Sequence, residues 1–155
     1  MRWKIAAGVV LALLIVIQLV PVARTNPPSD RPIVVPDTVG QILRRACYDC
    51  HSHETRWPWY AHVAPMSWLV AADVKEGREH VNFSTWGHYD LEEQAEKLGD
   101  IWEEVEDGEM PLKIYLPLHP DARLSDDDRR ILRAWTARGI QPVEIAPDSA
   151  ESDPS

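Results

Sequence analysis

The chain of 155 residues is poor in cysteine and phenylalanine, with two and one, and its formal net charge is −9. An excess of acidic residues argues against nucleic acid as a partner, since phosphate binding needs lysine and arginine in excess. The sequence has no glycine-rich phosphate loop and no nucleophile–base arrangement, so we expect no enzyme activity. No alternating apolar and polar run predicts a strand, which leaves a mostly α fold class.

The two cysteines form one motif, Cys47-Tyr48-Asp49-Cys50-His51. Two thiols three positions apart can form thioethers with the two vinyl groups of one porphyrin, and the following imidazole can bind its iron. The motif therefore predicts one covalent haem c per chain, held by Cys47 and Cys50, with His51 as the proximal iron ligand.

Three other interpretations of the cysteine pair remain open. A thioredoxin-type redox motif requires a βαβ pattern around it, which is lacking. A structural zinc site requires a second C-x-x-C or an H-x(3–5)-H pair, and the six histidines offer none. A disulfide in an exported protein is the third alternative.

The N-terminus carries a long uncharged segment. Arg2 and Lys4 precede a run from Ile5 to Val20 that continues weakly to Ala23. As a helix, residues 5–23 would be roughly 28 Å long, just enough to cross a bilayer core. The site after Ala23 matches a signal-peptidase site poorly, which favours an uncleaved transmembrane anchor over a cleaved signal. In both cases the basic N-terminus predicts that the remainder lies on the extracytoplasmic, periplasmic side.

Four segments are predicted. Residues 1–23 are the membrane anchor or signal, and residues 24–36 are a proline-rich linker that lifts the domain off the membrane. Residues 37–140 form one helical domain. Residues 141–155 are an acidic tail rich in Pro, Ser and Asp, predicted to be disordered.

Apolar residues spaced three and four apart predict four helices in the domain. We expect the second helix to end at Gly77, because glycine is common just after helices. In chain order the helices are expected to begin near Asp37, Ala64, Leu91 and Asp126, and to end near Ala46, Arg78, Asp107 and Arg138.

The second axial ligand decides whether the iron carries electrons or binds small molecules. Met110, in a loop before Pro111, is the main candidate, since a thioether ligand suits electron transfer. His119 is the alternative distal ligand. His62, His80, His88 or an open position also remain.

Aromatic residues after the motif are candidates for the pocket wall, because tryptophan combines a large apolar surface with one N–H donor. An aromatic plug that closes the loop is an equal alternative. The candidate lining residues are Trp57, Trp59, Tyr60 and Trp68.

These residues resemble class I cytochromes c, which have a C-x-x-C-H motif after an N-terminal helix, a Met-Pro loop and a C-terminal helix. Over about residues 36–138, the chain is more closely similar to the bacterial haem-binding domain family of small exported proteins. The resemblance implies a covalent c-type haem in a cytochrome c-like helical domain, and it names neither a reaction nor a partner. It is carried by Cys47–His51 with Ser52, Thr55–Tyr60, Pro65–Leu69, Met110-Pro111, Tyr115–Pro120, and Leu124–Asp126 followed by Ile131–Trp135.

The expected function is that of a membrane-anchored extracytoplasmic c-type cytochrome that transfers electrons to redox partner proteins. The acidic stretch from Glu92 to Glu109 is either a solvated helix face or a docking patch for a basic partner. A haem-based sensor or small peroxidase with an open sixth position, and a haem-bearing structural subunit of a membrane complex, are the alternatives.

Overall fold

The computed structural model describes residues 2–139, and within that range it contains helices and loops but no strand. The prediction of a mostly helical fold is confirmed. The predicted tail, 141–155, lies outside the described residues. The helices are α1 (Arg2–Ile17), α2 (Asp37–Ala46), α3 (Tyr48–His51), α4 (Met66–His80), α5 (Leu91–Glu106) and α6 (Asp126–Arg138), with 3₁₀ turns at Trp59–His62, Trp86–His88 and Pro120–Ala122.

The core lies where α2 and α5 pack on α6. Leu43 and Leu132 are almost completely buried, and burying a leucine contributes about 1.5–3 kcal/mol relative to leaving it exposed. Leu91, at the first turn of α5, is exposed. The buried apolar residues of this core are Ile33, Val39, Ile42, Leu43, Tyr48, Val81, Phe83, Trp86, Leu98, Val105, Leu132 and Trp135.

The helices α5 and α6 begin where the sequence predicted, and capping boxes set both starts. Asp90 and Glu93 form a capping box before α5, and Ser125 and Asp128 form another before α6. After α6, Gly139 has φ +66°, a conformation that glycine adopts without a steric penalty. The predicted end of α4 at Gly77 is wrong, because the helix continues to His80 and Gly77 has a different role, described below.

The N-terminal helix α1 is exposed along its length and has no buried residue. It ends at Ile17, so the helix expected over residues 5–23 is shorter than predicted. None of the helices described between residues 2 and 139 is both long and apolar enough to cross a membrane. The predicted transmembrane helix is therefore not confirmed.

The proline-rich segment 24–36 lies along the domain as an extended cover. The side-chain amide of Asn26 donates to the Thr55 carbonyl at 2.8 Å, and the Ile33 N–H donates to the Phe83 carbonyl at 2.8 Å. The Ile33 side chain is buried in the core. These hydrogen bonds hold the segment against the domain. The segment is therefore part of the domain surface, in contrast to the predicted linker that would stand clear of it.

One ion pair joins the first and last helices of the domain. Arg45, at the end of α2, donates to a carboxylate oxygen of Asp128 at 2.5 Å, and the Asp128 side chain is 15% exposed. Burial alone would raise the pKa of Asp128, but hydrogen bonds from Ser125 and the charge of Arg45 outweigh it and lower this pKa below its ordinary value. The ion pair therefore stabilises the fold at neutral pH, and this contribution is lost as the pH falls through the lowered pKa.

We expect Asp128→Asn to lower the free energy of unfolding by about 1–3 kcal/mol at pH 7, because Arg45 would lose its charged partner. Urea unfolding from pH 7 to pH 3 measures this loss, and the difference from wild type should shrink in acid. Asp127→Asn is the control: Asp127 lies next to Asp128 in α6, but its side chain is 75% exposed and pairs only with Arg130. Equal losses in the two variants would contradict the structural role of the Arg45–Asp128 pair.

Candidate functional site

A cavity of about 410 Å³ lies between α3, α4, α5 and the loop that follows α5. Cys47, Cys50 and His51 line one side of it, and Met110 contributes from the loop. Residues some sixty positions apart in the sequence therefore line the same cavity. The fold brings together the four residues selected from the sequence as the haem-binding set.

The orientation of His51 is set by two backbone carbonyls of the α4 end. Its Nδ1 atom lies 2.8 Å from the Gly77 carbonyl oxygen and 3.2 Å from that of Val81. Both neighbours are acceptors, so Nδ1 carries the proton and donates, and the Nε2 lone pair is left free. Burial lowers the pKa of His51, which favours the neutral imidazole that binds metals.

The contact between α3 and α4 requires a glycine at position 77. A Cβ atom added there would lie 2.9 Å from the Cys50 carbonyl oxygen, a contact that would force the backbone to shift. The missing side chain lets α4 approach the motif closely enough for its carbonyls to reach His51. This role explains a glycine inside a helix, where it costs about 1 kcal/mol relative to alanine.

The rest of the motif is also bonded to its surroundings. The Phe83 N–H donates to the His51 carbonyl at 2.8 Å, and Nε of Arg78 donates to the Ser52 carbonyl at 2.7 Å. Ser52 is fully buried, and its hydroxyl donates to the Tyr48 carbonyl. The C-terminal end of the candidate attachment segment, Cys47–His51, is therefore fixed to its surroundings.

Both cysteines are free thiols in the structure. Burial, with the neighbouring charge of Cys50, raises the pKa of Cys47 to about 12. Burial and then the carboxylates of Asp73 and Asp49 raise the pKa of Cys50 to about 12. Redox-active C-x-x-C pairs instead have a cysteine of lowered pKa, so these environments do not favour a thioredoxin-type function.

Met110 is held at the cavity by the end of α5. Its N–H and that of Glu109 both donate to the Glu104 carbonyl at 3.0 Å. The methionine side chain is half-buried and lines the cavity. A backbone fixed in this way limits the positions that the thioether sulfur can reach.

Asp49, inside the C-x-x-C motif, bridges two other segments. Oη of Tyr115 donates to Oδ2 of Asp49 at 2.7 Å, and the backbone and guanidinium of Arg56 donate to the same carboxylate. Burial, together with this hydrogen bond, raises the pKa of Tyr115. The loop that carries Met110 is thereby connected directly to α3.

Acidic residues dominate the polar part of the cavity wall. Among the described residues that line it, the carboxylates outnumber the cations, and His80 is the one basic side chain besides His51. Burial, followed by the charge of Glu76, raises the pKa of Asp73. The six carboxylate residues of this acidic rim are Asp49, Asp73, Glu76, Asp100, Glu103 and Glu104.

His119 and the aromatic residues selected from the sequence lie outside this cavity wall, whereas His80, one of the alternative distal ligands, lines it. His119 stacks on Tyr115 with ring centroids 3.7 Å apart, and its Nδ1 is 3.4 Å from the Tyr60 hydroxyl. Tyr60 lines a small apolar chamber of about 60 Å³ that shares Asp49, Cys50, Asp73, Leu112 and Tyr115 with the cavity. The three tryptophans, Trp57, Trp59 and Trp68, line neither space.

Sequence reasoning missed Tyr115 and Phe83 as parts of the site. Phe83 is buried between Tyr48 and Trp86, with ring centroids 5.4 Å and 6.3 Å away, and it also lies beside His51. It is the one phenylalanine of the chain, and this rarity was the one feature of the sequence that could have drawn attention to it. The pairing of Tyr115 with Asp49 spans 66 positions and leaves no local pattern.

The residues present fit a haem. The cavity combines two free thiols, an imidazole with its Nε2 unused by protein and a thioether, which is the donor set of a c-type site. Across residues 2–139, no group of three or more His, Cys, Asp or Glu side chains is arranged to hold a bare metal ion. The donor set therefore corresponds to a porphyrin-bound iron better than to a structural zinc site.

The fold and the cavity define a helical domain with one haem-type site. The sequence matches the haem-binding domain family over residues 12–138, which is most of the chain. The chain therefore belongs to the haem-binding domain family. No curated protein and no solved structure matched it in the two other comparisons.

We expect Gly77→Ala to destabilise the protein by about 1–3 kcal/mol, because the added methyl group overpacks the contact with Cys50. The matched control is Gly99→Ala in α5, where an added Cβ meets no atom within 4 Å. That variant should be stabilised by about 0.5–1 kcal/mol through helix propensity alone. Chemical denaturation of both variants measures the difference, and a stabilised Gly77→Ala protein would contradict the close contact.

Proposed function

We propose that the protein is an exported, membrane-attached c-type cytochrome that transfers electrons. One haem c is bound covalently by Cys47 and Cys50, with His51 as proximal and Met110 as distal ligand, in a cytochrome c-like domain. The observation that carries this proposal is the single cavity lined by all four residues. Haem binding itself follows from the family.

Each residue of the set has a distinct role. The two thiols would hold the porphyrin through thioether bonds, and the Gly77 and Val81 carbonyls orient the His51 ring so that Nε2 would be available to the iron. Met110 supplies a thioether, a ligand that raises the reduction potential. When bound, the haem supplies a one-electron redox couple.

Covalent attachment is tested by purification of holoprotein from a host with a c-type maturation system. We expect haem to stay on the chain after acid–acetone extraction and denaturing electrophoresis. Cys47→Ala or Cys50→Ala should leave one thioether, and the double variant none, as the mass of the intact chain would report. Haem extracted completely from the wild-type chain would overturn the covalent part of the proposal and leave haem binding in place.

We expect Met110→Ala to abolish the far-red sulfur-to-iron absorption band of the oxidised holoprotein. The reduction potential should fall by about 0.1 V or more, within the range of about 0.8 V that axial ligands span. The Met66→Ala variant is the control, because Met66 lines the small chamber outside the haem cavity. Spectra and potentiometric titration provide both readings.

Binding of carbon monoxide separates electron transfer from the alternative of a sensor or small peroxidase with an open sixth position. A filled Met110 position predicts little binding to the reduced wild type and strong binding to Met110→Ala. Rapid binding to the wild type, with an unchanged potential in Met110→Ala, would favour the alternative.

Export and membrane attachment are proposed from α1. The helix carries charge only at Arg2 and Lys4, and its apolar side chains are exposed on all sides. A helix of this kind is stabilised in contact with lipid, and the leading basic residues favour a cytoplasmic N-terminus. The domain would then lie on the extracytoplasmic side, where c-type attachment and the redox partner are expected.

The acidic rim supports a basic redox partner. Exposed carboxylates on Asp100, Glu103 and Glu104 lie around the haem cavity. A negative potential at the opening would draw cationic partners towards the haem and increase their association rates at low salt.

We expect the double variant Glu103→Gln, Glu104→Gln to react more slowly with a cationic oxidant. Stopped-flow oxidation of reduced holoprotein by hexaammineruthenium(III) should slow several-fold at low ionic strength, and oxidation by anionic ferricyanide should accelerate. Both differences should vanish at high salt, where charges are screened. The Glu96→Gln variant is the control, since Glu96 is an exposed residue of α5 outside the cavity wall. Identical rates in all variants would argue against steering by the rim.

A further inference from the structure

The segment 55–72 stands out by its charge. The chain holds 25 acidic residues, yet this segment of eighteen positions contains none. It does contain three of the seven tryptophans, at positions 57, 59 and 68. In so acidic a chain, a segment without carboxylates and rich in tryptophan indicates a surface with a different environment from the rest.

The same segment exposes its apolar side chains. Trp59 is 75% exposed, and four further apolar side chains, Val63, Met66, Trp68 and Leu69, are each more than a third exposed. Single exposed apolar residues are ordinary on soluble proteins, but five within eleven positions indicate a contact surface. We call this surface the apolar patch: Trp59, Val63, Met66, Trp68 and Leu69.

The end of α1 is bonded to the middle of the apolar patch. Gln18 donates through Nε2 to the Ala64 carbonyl at 3.2 Å and accepts from the Ala64 N–H at 2.9 Å. Arg24 then donates to the Ala61 carbonyl at 3.3 Å. The apolar helix and the apolar patch are therefore continuous, without a free spacer between them.

The helix α4 changes character along its axis. Its first seven residues, 66–72, carry no charge, whereas its remaining residues, 73–80, include Asp73, Glu76 and Glu79. At 1.5 Å per residue the helix is about 22 Å long. Its apolar end belongs to the patch, and its charged end lines the haem cavity with Asp73, Glu76 and His80.

We propose that the apolar patch lies against the lipid bilayer, so that the domain rests on the membrane by this face. The inference depends on the proposed membrane attachment through α1, and it commits to lipid as the occupant. Tryptophan is enriched at membrane interfaces, where its ring is in contact with lipid and its N–H with water. Arg24, which donates to the Ala61 carbonyl, brings a cationic side chain beside the patch, and an anionic headgroup would favour such a neighbour.

Photocrosslinking tests this contact in the full-length holoprotein. Trp59→p-benzoyl-phenylalanine would be reconstituted in vesicles of phosphatidylcholine and phosphatidylglycerol, irradiated and analysed by mass spectrometry. We expect lipid adducts at position 59 at several-fold higher yield than at position 91. Leu91→p-benzoyl-phenylalanine is the matched control, because Leu91 is 84% exposed in the acidic α5.

Vesicle flotation of the same samples tests membrane attachment separately from the contact between the apolar patch and lipid. Flotation without lipid adducts at position 59 would overturn the patch contact and leave membrane attachment standing. Adducts only to a second copy of the chain would also overturn it, in favour of self-association through the patch. Failure to float would overturn both proposals. An unchanged haem spectrum in both variants would show that neither substitution disturbs the fold.

Discussion

The close approach of α4 to the attachment segment is the constraint on which the site depends. The absence of a side chain at Gly77 lets the Cys50 backbone lie against the helix. At this separation the Gly77 and Val81 carbonyls reach Nδ1 of His51. A second-sphere acceptor of this kind fixes both the tautomer and the ring plane of a metal-binding histidine. The orientation of His51, the proposed iron ligand, therefore follows from backbone packing.

Two long-range contacts fix other parts of the domain relative to each other. Arg45 and Asp128 join α2 to α6, while Asp49 joins the attachment helix to the Met110 loop through Tyr115. Both contacts link segments more than sixty residues apart, and both use a charged acceptor, which gives stronger hydrogen bonds than a neutral one. The loop after α5 thus faces the attachment segment in a defined position.

The sequence predicted the features whose chemistry is local. The capping residues of α5 and α6 and the C-x-x-C-H motif each lie within a few residues, so the helix starts could be predicted and the motif could be selected as the candidate site. Gly77 was misinterpreted because glycine serves both helix ends and close packing, and only the position of Cys50 distinguishes the two roles. The Tyr115–Asp49 bond and the course of segment 24–36 depend on distant partners and left no local pattern. His119 has the donor chemistry of a distal ligand, but its contact with the Tyr60 hydroxyl, 59 positions earlier, is a tertiary contact outside the cavity wall.

The distribution of charge constrains how such a domain could be oriented on a membrane. The acidic rim includes the exposed carboxylates of Asp100, Glu103 and Glu104, and removing even one charged carboxylate from water costs several kcal/mol. The rim therefore has to face the aqueous phase, whereas the apolar patch gains free energy when it leaves water. Since α4 contributes to both surfaces at its opposite ends, an orientation that places the patch on lipid directs the charged end of the helix outwards. In that arrangement the haem cavity opens towards a water-soluble partner. The preference of the patch for lipid and of the rim for water would both stabilise this orientation of the domain.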